Sequence, residues 1–133
     1  MAHRLPVINA LRPKITSRGA IDLETISRRV SKNTTFNPAE ILGVLKQFAD
    51  EAIAALKDGE TVKIDDLVNI APNMKVGGVV DLALRGDRSA IAELNNPTLW
   101  TADKVYNHEN LGKTSDELVL QWNEEHPEDP VVA

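Results

Sequence analysis

The segment from residue 37 to residue 59 constrains the fold of this chain most strongly. Asn37-Pro38-Ala39-Glu40 places a capping residue, a proline at the first helical position and an acid close behind, which together predict a helix start. Gly59 is the residue type that commonly follows the last turn of a helix. The sequence therefore predicts a long helix from Pro38 to about Asp58.

The apolar side chains of this predicted helix cover an unusually wide arc. At about 100° per residue they occupy roughly half of the circumference, whereas a helix that lines one core needs a stripe of roughly 100°. A second subunit is the simplest source of the extra contact, and a central helix in a larger single-chain fold is the alternative. The residues expected in the subunit interface are Ile41, Leu42, Leu45, Phe48, Ala49, Ala52, Ile53 and Leu56.

Composition excludes several classes of protein. A chain of 133 residues with 42% hydrophobic and 26% charged residues predicts one globular domain, at most with a short appendage. Zero cysteines exclude disulfides, thiol catalysis and cysteine-ligated zinc, and the three histidines are widely separated. No nucleophile elbow, phosphate loop or dinucleotide motif occurs, so we expect neither an enzyme nor a cofactor or metal site. No apolar run approaches a membrane span, and we expect a cytoplasmic protein.

Charge is distributed unevenly along the chain. Residues 1–35 carry seven cations and two acids, whereas the segment from Thr114 onward carries six acids and neither lysine nor arginine. Clustered cations are what phosphate neutralisation requires, so the basic end favours nucleic-acid contact and the acidic end a modulating tail. Ordinary solvated surface charge is the alternative.

Caps and turns predict the elements on either side of the long helix. Asp22 is a good N-cap, and the apolar spacing after it predicts a helix to Ser31. Three short β-like runs follow the long helix, at 60–64, 67–76 and 79–85, with Gly77-Gly78 as a hairpin turn. Pro72 predicts a strand edge or a bulge, because proline cannot donate to a ladder.

The remaining predictions concern the two ends and the segment after the sheet. Residues 5–11 are apolar and β-branched, which favours a strand or a packed arm. Asp87 can cap a helix over 88–94, and residues 100–106 favour a further strand or an extended segment. The capping box Thr114-Ser115-Asp116-Glu117 predicts a last helix.

The order of these elements is similar to a known family. The stretch from Asp22 to Val76 resembles the N-terminal half of the bacterial histone-like HU/IHF family, most clearly at the helix-to-strand junction LKDGETVKI of residues 56–64. The resemblance implies an α+β fold in which a helix-turn-helix pair precedes a small antiparallel sheet, here with an extra N-terminal strand and a C-terminal helix. We expect an HU-like domain over 19–96, an N-terminal extension over 1–18 and a C-terminal extension with a helix and acidic tail over 97–133.

The resemblance also implies an intertwined homodimer that binds double-stranded DNA in the minor groove without strong sequence preference, as nucleoid proteins do. This chain departs from the family at the long β-arm, which is reduced here to Gly77-Gly78, and at the glycine-rich turn, which is replaced by residues 65–69. Pro72 lies well before the tip, so a strand proline is favoured over an intercalating wedge. An HU-fold dimeric module for protein interaction that does not bind DNA is therefore the alternative function.

If DNA is bound, the contacts are expected to be electrostatic. The first helix and its turn supply one basic cluster, and other cations can extend this surface. The predicted DNA-binding residues are Arg28, Arg29 and Lys32, extended by Arg12, Lys14, Arg18, Lys75, Arg85 and Arg88.

Overall fold

The computed structural model describes residues 1–132. Over these residues the protein has an α+β fold. The chain divides into two compact units rather than the single domain with a short appendage expected from its length. The central unit comprises Gly19–Asn96, and the terminal unit combines Met1–Arg18 with the segment from Pro97 onward. The two ends of the chain, which were predicted as separate extensions, therefore fold with each other.

The central unit begins with two capped helices, as predicted. Helix α2 spans Leu23–Ser31, and the Asp22 carboxylate accepts a hydrogen bond from the Thr25 N–H at 2.9 Å. Helix α3 spans Pro38–Lys57, and the Asn37 side chain accepts from the Glu40 N–H at 2.9 Å. These side chains satisfy donors that the first turn of a helix leaves unpaired. Helix α2 packs against α3.

A three-stranded antiparallel sheet follows α3 in the order β2-β3-β4. Strand β2 spans Val62–Ile64, β3 spans Val68–Met74 and β4 spans Val80–Gly86. The β3–β4 hairpin closes with a 2.8 Å hydrogen bond from the Lys75 N–H to the Val79 carbonyl. Gly77 and Gly78 have φ angles of +96° and +85°, which only glycine adopts at little cost, and the predicted hairpin turn is confirmed.

Pro72 lies inside β3, at a point where this strand has a neighbour on one side. It pairs with Leu82 of β4, whereas β2 pairs only with residues 68–70 of β3. Because hydrogen-bonded pairs alternate along an antiparallel ladder, the closing pair Lys75–Val79 makes Pro72–Leu82 a pair without backbone hydrogen bonds. The missing N–H of Pro72 therefore points to the open side of β3, and the ladder with β4 stays intact.

Strand register separates the sheet into an apolar and a polar face. Residues directly opposite each other point to the same face, so the pairing assigns each side chain. The apolar face carries Val62, Ile64, Val68, Ile70, Pro72, Met74, Val80, Leu82 and Leu84. The polar face carries Lys63, Asn69, Ala71, Asn73, Asp81, Ala83 and Arg85. After β4, Asp87 caps helix α4, which spans Arg88–Leu94 as predicted.

The terminal unit is built from both ends of the chain. Helix α1 spans Arg4–Leu11, and strand β1 at Lys14–Ile15 pairs antiparallel with β5 at Val105–Tyr106. A 3₁₀ turn at His108–Asn110 leads to helix α5 at Ser115–Glu125, which opens with the predicted capping box between Thr114 and Glu117. Helix α1 packs against α5. The buried apolar residues of this unit are Val7, Val105, Leu118 and Val119.

For residues 5–11, expected to form a strand or a packed arm, the strand is wrong, because residues 4–11 form helix α1, and the N-terminal strand lies instead at Lys14–Ile15. Pro6 lies in the first turn, where a missing N–H breaks no helical hydrogen bond. The end of α1 is held by distant residues: Asn107 Nδ2 donates to the Ala10 carbonyl at 2.8 Å, and Asn110 Nδ2 donates to the Leu11 carbonyl at 2.7 Å. Tertiary contacts therefore override the local preference for a strand.

Candidate nucleic-acid interface

The polar face of the central sheet is the best-defined candidate site in the structure. Lys63, Asn69 and Arg85 stand in one row across the three strands, because Lys63 pairs with Asn69 and Asn69 pairs with Arg85. The next rows are Ala71–Ala83 and Asn73–Asp81. Small side chains thus occupy the middle of the face, between amides and cations. Such a face combines hydrogen-bond donors and positive charge with small side chains at its middle.

One carboxylate, that of Asp81, lies among the cations of this face. Asp81 accepts a hydrogen bond from the Leu82 N–H at 2.8 Å and forms an ion pair with Lys75 at 3.1 Å. These two contacts, the backbone N–H first, hold the pKa of Asp81 below its ordinary value, so the carboxylate stays charged at neutral pH. Lys63 and Arg85 are exposed, and the structure of residues 1–132 shows no ion pair at either. The face is therefore cationic on balance.

The basic cluster predicted on α2 also lies on the surface of the central unit. Arg28 contacts Glu24 at 3.8 Å and donates to Thr25 Oγ1 at 3.4 Å. Arg29 and Lys32 are exposed near the end of the same helix. Arg88, at the start of α4, is exposed as well. Exposed ion pairs of the Arg28–Glu24 kind are weak, so phosphate can compete for this arginine.

The other three predicted cations belong to the terminal unit. Arg18 forms an ion pair with Asp103 at 3.4 Å, and Arg12 Nε donates to Asn9 Oδ1 at 3.3 Å. Lys14 lies in β1 opposite Tyr106. The structure thus divides the predicted DNA-binding residues between two units and does not bring all of them together on one element.

Lys63, Asn69 and Asn73 are not among the site residues predicted from the sequence. Lys63 lies between Val62 and Ile64, and this alternation of apolar and polar residues was the available signal for its direction. The two asparagines become part of the site only through the register of β3 with its neighbours.

Residues 65–69 stand where the HU/IHF family has a glycine-rich turn. They form an acidic turn that contacts helix α4. Asp66 adopts a φ of +66°, the left-handed conformation that favours glycine. Its Oδ1 accepts a hydrogen bond from the Ser89 hydroxyl at 2.8 Å. The N–H and hydroxyl of Ser89, followed by the N–H of Asp66, lower the pKa of Asp87. The turn is therefore tied to the start of α4.

The predicted dimer-interface residues on α3 differ in how far their own chain covers them. Ile41 is buried, and the half-buried residues are Leu42, Leu45, Ala52 and Leu56. Phe48, Ala49 and Ile53 are exposed, with Phe48 retaining 48% of its surface. An apolar groove of about 590 Å³ lies between the end of α3 and the apolar face of the sheet and is lined by Ile53, Leu56, Pro72, Met74, Val80 and Leu82.

A second apolar groove lies where α2 and its following turn meet the first half of α3. It has a volume of about 470 Å³, and Val30, Phe36, Ile41, Val44 and Leu45 contribute to its lining. Large apolar side chains in an accessible groove are typical of a surface that binds a partner.

Comparison with known proteins places the chain in a family. A family model described as an HU domain fused to wHTH, Ig, or Glycine-rich motif matches residues 8–82. No curated protein matches the chain. Within residues 1–132, no helix has the length and apolar character needed to cross a membrane, and no group of three or more His, Cys, Asp or Glu side chains is placed to hold a metal ion. The match spans more than half of the chain and contains α2, α3, β2 and β3, and the protein therefore belongs to the HU-HIG family of HU-like proteins.

Proposed function

We propose that this protein is a nucleoid-associated DNA-binding protein of the bacterial cytoplasm that acts as a homodimer and contacts the DNA backbone without reading its sequence. The observation that carries the proposal is the polar face of the central sheet, where Lys63 and Arg85, and Lys75 at the hairpin end, accompany small and amide side chains. The HU-like family of the chain supports a DNA-binding architectural role rather than an enzymatic one.

Dimerisation follows from the exposed apolar surface of the central unit. Within residues 19–96, Ile41 is the one hydrophobic residue that is buried, with 9% of its surface exposed. Val44, Phe48 and Ile53 leave a large part of α3 open to water, and each fully covered side chain of this size contributes roughly 1.5–3 kcal/mol. A second copy of α3 has a matching apolar face, so self-association is the simplest way to cover this surface.

Backbone contact follows from the kind of side chains on the polar face and on α2. Lysine and arginine neutralise phosphates, and these contacts position a protein on DNA but carry no sequence information. The hairpin tip ends in Gly77 and Gly78, which supply no side chain to read a base edge. The cations proposed to contact phosphate are Lys63, Lys75, Arg85, Arg28, Arg29, Lys32 and Arg88.

The test is a fluorescence-anisotropy titration of a labelled duplex over a series of salt concentrations. The variant Lys63→Gln/Lys75→Gln/Arg85→Gln removes three cations from the polar face, and we expect the salt slope to shrink by up to about 2.7 per chain, since each phosphate contact contributes about 0.9. The control is Lys46→Gln, which removes an exposed cation from α3 and should leave the slope unchanged.

Two outcomes would contradict the proposal at different levels. An unchanged salt slope in the triple variant would remove the polar face from the site and leave the α2 cluster, which Arg28→Gln/Arg29→Gln/Lys32→Gln tests in the same titration. If the unmodified protein does not bind duplex DNA at about 50 mM salt, the DNA-binding function is overturned.

The second candidate is an HU-fold dimeric module for protein interaction that does not bind DNA. The reduction of the hairpin tip to a turn over Lys75–Val79 favours it, as does the formal net charge of -5. Under this function the apolar grooves keep their role in association, and the cations of the polar face are solvated surface charges.

A further inference from the structure

Strand β4 forms an edge of the central sheet, and in the described part of the chain no strand pairs beyond it. Backbone groups along an antiparallel strand point alternately to its two neighbours. Hydrogen bonds join Lys75 to Val79 and Asp87 to Leu67 at the two ends of the ladder, so Val80, Leu82 and Leu84 direct their N–H and C=O groups outward. The edge thus presents a regular row of donors and acceptors.

Strand β4 has few of the features that usually prevent an edge strand from pairing with another chain. Proline, lysine, bulges and short length are common ways to prevent an edge strand from pairing with another chain. Strand β4 has seven residues, all of them exposed, and pairs with β3 over its whole length without a bulge. One outward donor is occupied: the N–H of Leu82 is hydrogen-bonded at 2.8 Å by the side chain of Asp81, its own neighbour.

The sequence of β4 is complementary to itself in one antiparallel register. With a two-fold axis at Ala83, Asp81 stands opposite Arg85 of a second copy on the polar face, and this pair occurs twice. On the apolar face Leu82 stands opposite Leu84 of the second copy; these side chains are 53% and 66% exposed in the single chain. Opposite charges and apolar pairs at directly facing positions stabilise a sheet.

Neighbouring registers lose this complementarity. Moving the axis to Leu82 places Asp81 opposite Ala83, and moving it to Leu84 places Asp81 opposite Asp87 of the second copy, which is a repulsive pair. The register centred on Ala83 is therefore set by charge as well as by the row of hydrogen-bonding groups.

We propose that the free edge of β4 is a self-association surface, where β4 of a second copy of this chain pairs antiparallel with its centre at Ala83. On pairing, the Leu82 N–H exchanges the Asp81 carboxylate for the Leu84 carbonyl of the second copy. The Asp81 carboxylate then faces Arg85 of that copy, so neither group loses its partner. The two central sheets become one six-stranded sheet. This surface adjoins the groove beside α3 at Leu82 but is formed by the strand edge, and it does not depend on DNA.

Disulfide trapping tests the surface directly, because the chain has no cysteine of its own. Residues at 83 would face each other in a pair without backbone hydrogen bonds, where Cα atoms lie about 4.5 Å apart, within the range that a disulfide spans. We expect Ala83→Cys to form a covalent dimer on mild oxidation at micromolar concentration, at least ten times faster than its control. The control is Ala71→Cys, which lies on the same face directly opposite Ala83 but one strand further in.

Two further measurements keep this result interpretable. Thiol titration establishes that both cysteines are accessible, and Leu120→Cys on the exposed side of α5 gives the rate of crosslinking by random collision. If Ala83→Cys crosslinks no faster than Leu120→Cys, the proposal is overturned. Because the readout contains no DNA, such a failure leaves the proposed DNA-binding function standing.

Charge reversal tests the register. In the Ala83→Cys background, Asp81→Arg and Arg85→Asp each place like charges opposite each other, and we expect each to slow crosslinking at least fivefold. The double variant Asp81→Arg/Arg85→Asp restores opposite charges and should restore the rate. Single variants without effect, or a double variant that stays slow while circular dichroism shows a native fold, would overturn pairing centred on Ala83.

Discussion

The central unit and the terminal unit enclose their apolar residues to very different degrees. The terminal unit, although smaller, buries Val7, Val105, Leu118 and Val119. The larger central unit buries Ile41 and leaves most of its α3 and sheet side chains accessible. A small unit usually has the greater difficulty in forming a core. The reversal supports the proposal that a second chain covers the apolar surface of the central unit, while the terminal unit buries its own apolar residues.

The largest expected effect comes from a charge on the exposed face of α3. Phe48 is 48% exposed in the single chain, and Phe48→Asp places a carboxylate where we expect the second copy to pack. Since an unpaired charge in an apolar interface is strongly unfavourable, association through α3 should be lost at micromolar concentration, whereas pairing through β4 should remain. Light scattering after size-exclusion chromatography measures this change.

The matched control in the terminal unit is Leu120→Asp. Leu120 is 61% exposed on α5, and its change should leave the mass in solution unchanged. The contrast between the units would be broken if Phe48→Asp kept the mass of the unmodified protein or if the unmodified protein proved to be monomeric.

The next effect concerns the core of the terminal unit. Leu118 is 3% exposed, and Leu118→Ala should lower the free energy of unfolding of this unit by about 2–5 kcal/mol. Both tryptophans, Trp100 and Trp122, belong to the terminal unit, so their fluorescence during urea unfolding reports on this unit alone. Helix loss followed by circular dichroism reports on both units. A shift of the fluorescence transition without a change in dimer mass would confirm that the terminal core is independent of association.

A smaller effect is expected at the start of α5. The Thr114 hydroxyl accepts from the Glu117 N–H at 3.2 Å, and the Glu117 carboxylate accepts from the Thr114 N–H at 3.4 Å. Removing the hydroxyl in Thr114→Ala should cost about 1 kcal/mol, measured by the same fluorescence transition. Thr114→Ser keeps the acceptor and should behave like the unmodified protein. Equal losses in both variants would show that the methyl group, not the cap, matters.

The smallest effect is a pH dependence of helix α2. Hydrogen bonds from Thr25 hold the pKa of Asp22 below its ordinary value of 3.8. A lowered folded-state pKa means that the cap contributes stability above about pH 3.8 and loses it as pH falls through the folded value. Helix content by circular dichroism should therefore fall less in Asp22→Asn, which caps without titrating, than in the unmodified protein between pH 4 and pH 2.5. Identical curves would show that Asp22 plays no part in the acid response.

Local chemistry in the sequence was sufficient for the elements that start at a cap. Asp22, Asn37, Asp87 and Thr114 each accept a backbone N–H at the predicted helix start, because these interactions span two or three residues. The glycine pair fixed the hairpin turn in the same way.

The features that the sequence did not predict depend on contacts between residues that are far apart in the chain. Helix α1 ends against Asn107 and Asn110, which follow it by almost a hundred positions, so no local pattern predicts that helix. The candidate site shows the same limit: the α2 cations were visible as a cluster in the sequence, whereas Lys63 joined the polar face only through strand register.

If the protein binds DNA as proposed, the short β3–β4 hairpin limits the length of DNA that the polar face of one copy can cover. Regular pairing extends over seven residues of β4, which at about 3.4 Å per residue is roughly 24 Å. That length corresponds to about seven base pairs along one side of a duplex. A protein with this footprint should coat DNA without shortening it, so the extension of a single tethered molecule should stay constant as protein is added. Crowding of neighbouring copies, rather than bending by any one of them, would then govern how the chromosome is organised.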